Sequence, residues 1–448
     1  MSETGGGDEL SQSLEHEPAR LPRRSWQIAF LLGLGVLVNY FDRVNLSVSH
    51  ESLIAAFGIS NIAFGYLSSA YNWTYALCQL PVGVLLDKFG VRRVGRISTL
   101  IWSLASFCAS VAPGIPSLFA ARFLLGVGEA PTFPANAKAI GLWFPATKRG
   151  FATAIFDSAA KFSSVLGVPL LGIILLKIGW RWSFALTGLI SLGYFLLFWK
   201  VYRDPEEDSS LSAADRLAIA AATRRSDAHN AATGEPESLS YLLGQRKVLG
   251  LAIGFGSYNY VFYLLLAWLP SYLTLALHID AYHSFLYTSL PWLVATFGDL
   301  AVGGWLVDSL IRRGYDASRV RQAVLIGGTM FGLGILGAAH AHNATQALIW
   351  ISISIGGLSA AAPVGWSVPA LIASRNNVGR VGGIMNFSNQ VSGIAASTIT
   401  GYLFAAHQVA WVFGIAGIYL AIGIGAYIFL LGRIEPAKRE RAAANAIL

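Results

Sequence analysis

Apolar stretches of about 20 residues follow one another along almost the whole chain, and they limit the possible folds more than any other feature. A helix of that length crosses the roughly 30 Å hydrocarbon core of a bilayer. Only helices and closed barrels satisfy their backbone polar groups in lipid. A barrel would show alternating segments of about 10 residues, and the sequence has none. The chain is therefore predicted to be an all-α membrane protein.

The composition supports this class and excludes others. Only 12% of the 448 residues are charged, against about 25% in soluble proteins. The net charge of +8 does not indicate nucleic acid, because Lys and Arg occupy alternate loops between apolar stretches. We therefore expect contact with the lipid bilayer and none with nucleic acid. Cys78 and Cys108 lie in apolar stretches, so no disulfide is expected, and the polar N-terminus predicts no cleavable signal peptide.

The apolar windows predict twelve transmembrane helices, and the basic loops predict that both termini are cytoplasmic. One outer loop, with Lys177 and Arg181, departs from this charge pattern. The spans cover about 25–47, 61–86, 96–113, 117–142, 150–176, 182–202, 247–273, 284–308, 320–340, 346–367, 379–405 and 410–432.

A long polar stretch divides these spans into six and six. Its RDPEEDSSLSAAD start and AADRLAIAAATRR run predict a capped amphipathic helix on the inner membrane face. The expected domains are a disordered cytoplasmic tail (1–24), a six-helix bundle (25–202), a cytoplasmic linker (203–246), a second six-helix bundle (247–432) and a basic cytoplasmic tail (433–448).

The two predicted halves share a motif at corresponding places. GVLLDKFGVRR (83–93) lies between spans two and three, and GWLVDSLIRRG (304–314) lies between spans eight and nine. Gly83 and Asp87 correspond to Gly304 and Asp308 in register, which predicts an internal duplication. Each aspartate lies where a span meets a basic loop, so it can pair with a cation or cap a helix.

Two pairs of charged residues stand out inside predicted spans: Asp42 and Arg43 in the first, and Arg122 and Glu129 in the fourth. Such a residue costs roughly 2.5–3.5 kcal/mol on insertion scales and normally faces a functional cavity. Because the two spans run in opposite directions, Asp42 and Arg122 are expected at similar depth, with Glu129 near the midplane. We favour an anion site joined to a proton path. The alternatives are an interfacial stop at Asp42 and Arg43, and a fixed ion pair at Glu129.

Other polar residues in the spans are harder to interpret. Asp157 and Lys161 in span five are one turn apart, which fits an internal salt bridge or a cavity cation able to serve a dicarboxylate. The second half has no comparable buried charge, and it offers aromatic and amide side chains. His278, His283, His340, His342 and His407 are expected in solvated outer loops. No metal site, catalytic motif or cofactor signature is present, so we expect no enzyme.

The chain resembles the major facilitator superfamily, because GVLLDKFGVRR fits the signature loop of that superfamily through Gly83, Asp87, Lys88, Gly90 and Arg92. It is more narrowly similar to the anion:cation symporter family, and looks closest to D-galactonate, glucarate, hexuronate, tartrate and phthalate carriers. The blocks that carry this likeness are NYFDRVNLS (39–47), QLPVGVLLDKFG (79–90), RFLLGVGEAPTFPANAKAIGLWFP (122–145) and NYVFYLLLAWLPSYL (259–273).

The resemblance implies two bundles around a midplane cavity that alternates between inward- and outward-open states. It also implies that Asp42 and Glu129 carry protons, that Arg43 binds the substrate carboxylate, and that Arg122 partners Glu129. By the same resemblance, Tyr75, Trp366 and Asn386 match substrate-contacting positions. We add Lys161 and Asn389 to the expected substrate site, and we expect Gly83, Asp87, Lys88, Gly90, Arg92 and Asp308 to act in gating.

The expected function is proton-coupled uptake of a small organic anion, a sugar acid or related mono- or dicarboxylate, by a monomer in the bacterial inner membrane. Sodium coupling stays open, and no cofactor is expected. One alternative is an exporter of a metabolite or drug, although Arg43 and Arg122 disfavour cationic drugs. Another is a membrane sensor, which the short linker without a signalling motif disfavours.

Overall fold

A computed structural model describes residues 21–228, 237–374 and 377–435, and all regular secondary structure in these ranges is helical. Most of the two predicted tails, at 1–20 and 436–448, lies outside the described residues, as does part of the predicted linker at 229–236. The all-α prediction is confirmed.

The helices of the first half and of the linker region are α1 (Arg23–Val48), α2 (His50–Phe57), α3 (Asn61–Ser110), α4 (Ile115–Glu129), α5 (Thr132–Trp143), α6 (Ala146–Ile178), α7 (Trp180–Val201), α8 (Ala213–Ala228) and α9 (Leu239–Gly244).

The helices of the second half are α10 (Arg246–Leu275), α11 (Ala281–Phe297), the π-helix π1 (Gly298–Leu306), α12 (Val307–Arg312), α13 (Ala317–Gly332), α14 (Ile335–Ala338), α15 (Ala344–Ser367), α16 (Pro369–Ile372), α17 (Val378–Ala405), α18 (Val409–Gly425) and the π-helix π2 (Ala426–Leu431).

Among the described residues, eight helical spans are long and apolar enough to cross a membrane, or nine if the bent pair His50–Phe57 and Asn61–Gln79 forms one span. The other predicted spans fall on less regular helices. Two of them merge in α3, which breaks at Gly90 with φ +73°. Pro131 has no backbone N–H to donate and separates α4 from α5. The count of twelve and the orientation of the termini remain predictions.

Among the described residues, four pairs of helices make the main contacts between the two halves: α1 with α10, α3 with α17, α6 with α11, and α6 with π1. We call the end that carries the loops around Arg92, Lys148 and Arg313 the basic end, and the other the closed end. These pairs bring the middle of each half against the other, where the charged residues of α1, α4 and α6 lie.

The backbones of the two halves pack closely at the closed end. A Cβ on Gly65 would lie 2.7 Å from the carbonyl oxygen of Ser397, and a Cβ on Gly401 would lie 2.6 Å from that of Asn61. Both distances are shorter than real Cβ contacts allow, so only glycine permits this approach of α3 and α17. Toward the basic end of the same helices, Cβ atoms on Gly83 and Gly382 would meet nothing within 4 Å.

Polar contacts join the halves at the closed end as well. The Ser47 hydroxyl donates to the carbonyl oxygen of Ala267 at 2.9 Å, and the Ser271 hydroxyl lies 2.8 Å from Nδ1 of the buried His50. The halves are therefore sealed together at one end and packed less closely at the other.

The linker contains the predicted capped helix, α8. Ser212 and Asp215 form a reciprocal capping box at its start: the Ser212 hydroxyl accepts from the Asp215 N–H at 3.0 Å, and the Asp215 carboxylate accepts from the Ser212 N–H at 3.4 Å. Before α8, Asp208 pairs with Arg24 at 2.8 Å and Glu207 pairs with Arg92. The linker is thus tied to α1 and to the signature loop, while its contact with the membrane face stays a prediction.

Substitution of Gly401 by Val is expected to open the closed end, because the new side chain would overlap the Asn61 carbonyl. Overpacking of this kind costs about 1–3 kcal/mol, a shift of roughly 5- to 150-fold between two states. The measurement is the rate at which a maleimide labels Ser271→Cys, a buried position at the closed end, in detergent after Cys78 and Cys108 are replaced by Ala.

Gly382→Val on the same helix is the matched control, since open space surrounds it. It should leave the labelling rate unchanged. Equal rates for the parent and for Gly401→Val would contradict the assignment of this contact as the seal.

Candidate functional site

Arg43 lies at the centre of the candidate site and is 6% exposed. Its Nε and Nη2 donate to Oε2 of Glu129 at 3.1 and 3.0 Å, and Nη2 also donates to Oδ1 of Asn39 at 2.9 Å. The Glu129 side chain is fully buried. A charge-assisted ion pair between α1 and α4 thus fixes the position of the guanidinium.

Three tyrosines surround the same guanidinium. Its carbon lies 4.2 Å from the ring centroid of Tyr40, 4.5 Å from that of Tyr71 and 5.8 Å from that of Tyr75. A cation over an aromatic face is stabilised by about 2 kcal/mol or more when desolvated. The structure therefore places Tyr75 against Arg43, within the predicted site.

Arg122 lies beside Asp42, as the depth argument predicted, but it is not the direct partner of Glu129. Its Nη1 donates to the backbone oxygen of Asp42 at 3.3 Å. The ion pair of Glu129 is with Arg43, where the resemblance implied Arg122. Seven residues on one helix separate Arg122 from Glu129 by about 10.5 Å along the axis, so a neighbouring helix supplies the nearer cation.

Among the described residues, each of the two acids has an oxygen that accepts no hydrogen bond. Oδ2 of Asp42 accepts from the Ser191 hydroxyl at 3.1 Å, while Oδ1 has no partner. Oε1 of Glu129 is likewise unsatisfied. An unpaired buried polar group costs about 1–3 kcal/mol, more for a charged one. Protonation turns a carboxylate into a hydroxyl donor and removes its charge, so both oxygens are suited to hold a proton.

Amide side chains reach this region from the second half. Nδ2 of Asn386 donates to Oε1 of Gln79 at 2.9 Å, and Nε2 of Gln79 donates to the backbone oxygen of Ala130 at 3.3 Å. Asn386 is therefore linked to the residue that follows Glu129. Asn389, one turn along α17, is 1% exposed and its Oδ1 has no partner. Sequence reasoning missed Gln79, although a glutamine within an apolar span is a comparable signal.

Trp366 is joined to Arg43 through a chain of aromatic rings. It stacks on Phe133 with ring centroids 6.1 Å apart and planes 14° apart. Phe133 contacts Tyr40 edge-on at 6.5 Å, and Tyr40 covers Arg43. The predicted set Arg43, Tyr75, Trp366 and Asn386 is thus brought together around α4 and α5.

Lys161 is already neutralised, so it is not a free cation. Its Nζ lies 2.6 Å from Oδ2 of Asp157 and 2.6 Å from Oδ2 of Asp299, and all three side chains are buried. The predicted salt bridge with Asp157 is confirmed. The prediction that the second half has no comparable buried charge is wrong, because Asp299 lies in π1 with no exposure. An acid within the apolar eighth span was the available signal.

The signature-loop residues make contacts at the basic end. Asp87 pairs with Lys138 at 2.6 Å, Arg92 pairs with Glu207, and Gly90 provides the left-handed backbone at the break in α3. Gly83 borders open space, Lys88 lies over the ring of Phe89, and Asp308 is exposed in α12. Their role in gating stays a prediction.

Substitution of Arg43 by Met should lower the thermal unfolding midpoint in alkaline detergent buffer, because it leaves Glu129 buried without a cation. Removing one partner of a buried ion pair costs about 3–5 kcal/mol. The double variant Arg43→Met, Glu129→Gln should recover most of the loss. Arg433→Met is the control, since its pair with Asp316 is exposed on both sides and worth about 0–1 kcal/mol. Equal midpoints for the single and double variants would contradict the pairing.

Comparison with known proteins identifies the family. A model of the Major Facilitator Superfamily matches residues 32–315. The chain is 40% identical over 421 residues to the uncharacterized transporter YybO of Bacillus subtilis (strain 168), covering 92% of this chain and 95% of that protein. It is 31% identical over 430 residues to the probable galactarate/D-glucarate transporter GarP of Escherichia coli (strain K12), covering 92% and 96%.

Solved structures of the same superfamily have a similar fold. The structure of the proton:xylose symporter XylE bound to 6-bromo-6-deoxy-D-glucose matches with a TM-score of 0.71 at 16% identity, covering 94% of this chain and 99% of that one. These findings confirm the resemblance, and proteins of this kind are transporters and not enzymes. The chain therefore belongs to the Major Facilitator Superfamily and is a multi-pass transporter of the bacterial inner membrane.

Proposed function

We propose that this transporter takes up a small organic anion, a sugar acid with one carboxylate, together with protons by alternating access. The ion pair between Arg43 and Glu129 carries the proposal. Similarity to a D-galactonate transporter and to the probable galactarate/D-glucarate transporter GarP, both of Escherichia coli, supports the substrate class.

Arg43 is the group that would bind the substrate carboxylate. A guanidinium presents paired N–H donors that match a carboxylate, and here they face Glu129. A substrate carboxylate and Glu129 therefore compete for the same donors. A proton on Glu129 removes its charge and frees the guanidinium, so proton binding and anion binding favour each other. This competition is the proposed origin of the coupling between proton transport and anion transport.

Asp42 would provide the second proton site. It is buried in α1 next to Arg43, and Arg122 donates to its backbone oxygen. Its free Oδ1 can take a proton without loss of the Ser191 hydrogen bond to Oδ2. Protonation of both acids compensates for the negative charge that the substrate brings into the site.

The polyol part of a sugar acid fits the amides contributed by both halves. Gln79 and Asn386 form a cross-half hydrogen bond that substrate hydroxyls could replace, and Asn389 has a free oxygen beside them. Trp366 offers an aromatic face to sugar C–H groups. A ligand held by Arg43 and by these amides would contact both halves, which is what alternating access requires.

The ion pairs of Lys161 bear on whether the substrate has one carboxylate or two. Two aspartates compensate its charge, so it is not available to a second substrate carboxylate. Among the described residues, Arg43 is the cation whose carboxylate partner, Glu129, a proton would neutralise. We therefore favour an aldonate over an aldarate.

Glu129→Gln should abolish accumulation of D-galactonate driven by a proton gradient in proteoliposomes, yet retain counterflow exchange. The variant leaves Arg43 free at every pH, so anion binding no longer requires a proton. Glu51→Gln makes the same chemical change at an exposed position and should accumulate normally. Normal uphill uptake by Glu129→Gln would overturn the coupling role, and accumulation driven by a sodium gradient alone would overturn proton coupling.

A thermal-shift panel on the purified protein tests the substrate class. Aldonates should raise the unfolding midpoint more than aldarates, aromatic acids or neutral aldoses of the same length. The expected loss on Gln79→Ala is about 0.5–1.5 kcal/mol of binding free energy for the aldonate. Stronger stabilisation by aldarates that disappears in Lys161→Ala would instead support a site with two cations.

A further inference from the structure

We propose that Asp157, Lys161 and Asp299 form a third proton-binding site, and that its proton controls an ion pair between the two halves. We call these three residues the cross-half triad. It extends the proposed function, because it concerns the same movement of the halves, but it is separate from the site at Arg43 and Glu129.

The ionised triad has one negative charge in excess, which one proton would neutralise. Two carboxylates contact one ammonium group, each at 2.6 Å, and all three side chains are at most 6% exposed. As ionised groups they carry one uncompensated negative charge, which is costly in a buried position. A proton is the smallest ligand that makes the triad neutral.

The geometry provides a place for that proton. Oδ1 of Asp299 has no hydrogen-bond partner although the side chain is fully buried. Oδ2 of Asp299 lies 2.6 Å from Nζ of Lys161, and it too accepts no hydrogen bond within the described part of the chain. A proton turns the Asp299 carboxylate into a hydrogen-bond donor and removes its charge.

Within the described part of the chain, no Lys or Arg other than Lys161 forms an ion pair with Asp157 or Asp299. Tyr40 of α1 and Tyr258 of α10 are the titratable side chains that interact with it from neighbouring helices. Helix α15 packs closely against π1, since a Cβ on Gly298 would lie 2.6 Å from the Gly356 oxygen, and α15 contains no titratable residue. The uncompensated charge therefore stays within the triad.

The triad crosses between the halves at mid-span. Asp157 and Lys161 are on α6, whereas Asp299 is on π1. A proton on Asp299 removes the ion pair between the halves and leaves the pair within α6 intact. Oδ2 of Asp157 accepts a hydrogen bond from Lys161, whereas neither oxygen of Asp299 accepts one from the described residues, so the proton is assigned to Asp299. Protonation of Asp299 thus determines whether Lys161 holds α6 to π1.

Two isosteric variants separate these states. Asp299→Asn mimics the protonated acid and removes the cross-half pair, while Asp157→Asn removes the excess charge and keeps that pair. The distance between spin labels at Gly150→Cys and Arg313→Cys, two exposed positions at the basic ends of α6 and α12, reports the separation of the halves. All proteins carry Asp42→Asn and Glu129→Gln, with Cys78 and Cys108 replaced by Ala, and no substrate is added.

With the triad intact, the distance distribution should shift between two populations as pH changes. Asp299→Asn should show the low-pH distribution at every pH, and Asp157→Asn the high-pH distribution. Absence of a pH shift with the triad intact, or shifts in both variants equal to that of the parent, would overturn the proposal. Either result leaves the uptake test of Glu129→Gln unaffected.

Infrared difference spectroscopy detects the proton itself and does not depend on a movement of the two halves. In the same background, lowering the pH should produce a band from one buried protonated carboxyl, and Asp157→Asn should remove it. Persistence of the band in both aspartate variants would contradict a proton held by the triad.

Discussion

Charge buried in the membrane-spanning part of this chain must be neutralised within the protein, and the rest of the structure depends on how this is done. Arg43 is neutralised by Glu129 and covered by tyrosines, and Lys161 is neutralised by two aspartates. Any ligand that brings a charge into this region must displace one of these partners or arrive with a compensating proton. In the proposed cycle that requirement couples the substrate to the proton gradient.

The two halves contribute unequally to this balance. The first half holds Arg43, Glu129 and their aromatic surroundings, and the second contributes amides on α17 together with Asp299. The glycine contacts of α3 with α17 bring the halves together at one end and leave the polar links Gln79–Asn386 and Lys161–Asp299 nearer the middle. A movement of the halves therefore changes both the amide contacts and the charge balance.

Much of this organisation could be predicted from the sequence. Long apolar stretches constrain a chain to helices, and a charge inside such a stretch indicates a functional position, so Arg43 and Glu129 were found without a structure. The ion-pair partners of these residues were harder to predict. Pairing between helices depends on how each helix is rotated and tilted, and the periodicity of a sequence does not specify this. Arg122 was therefore expected beside Glu129, and Asp299 was overlooked in a span whose π-helical turn departs from regular spacing.

The central claim is that a substrate carboxylate and Glu129 compete for Arg43, so that substrate binding takes up a proton. Calorimetric titration of the purified protein with D-galactonate, in buffers of different ionisation enthalpy, measures the number of protons taken up per anion bound. The account predicts net uptake, reduced by about one proton in Glu129→Gln, since one site has been removed. Binding without proton uptake, or uptake unchanged in that variant, would contradict it.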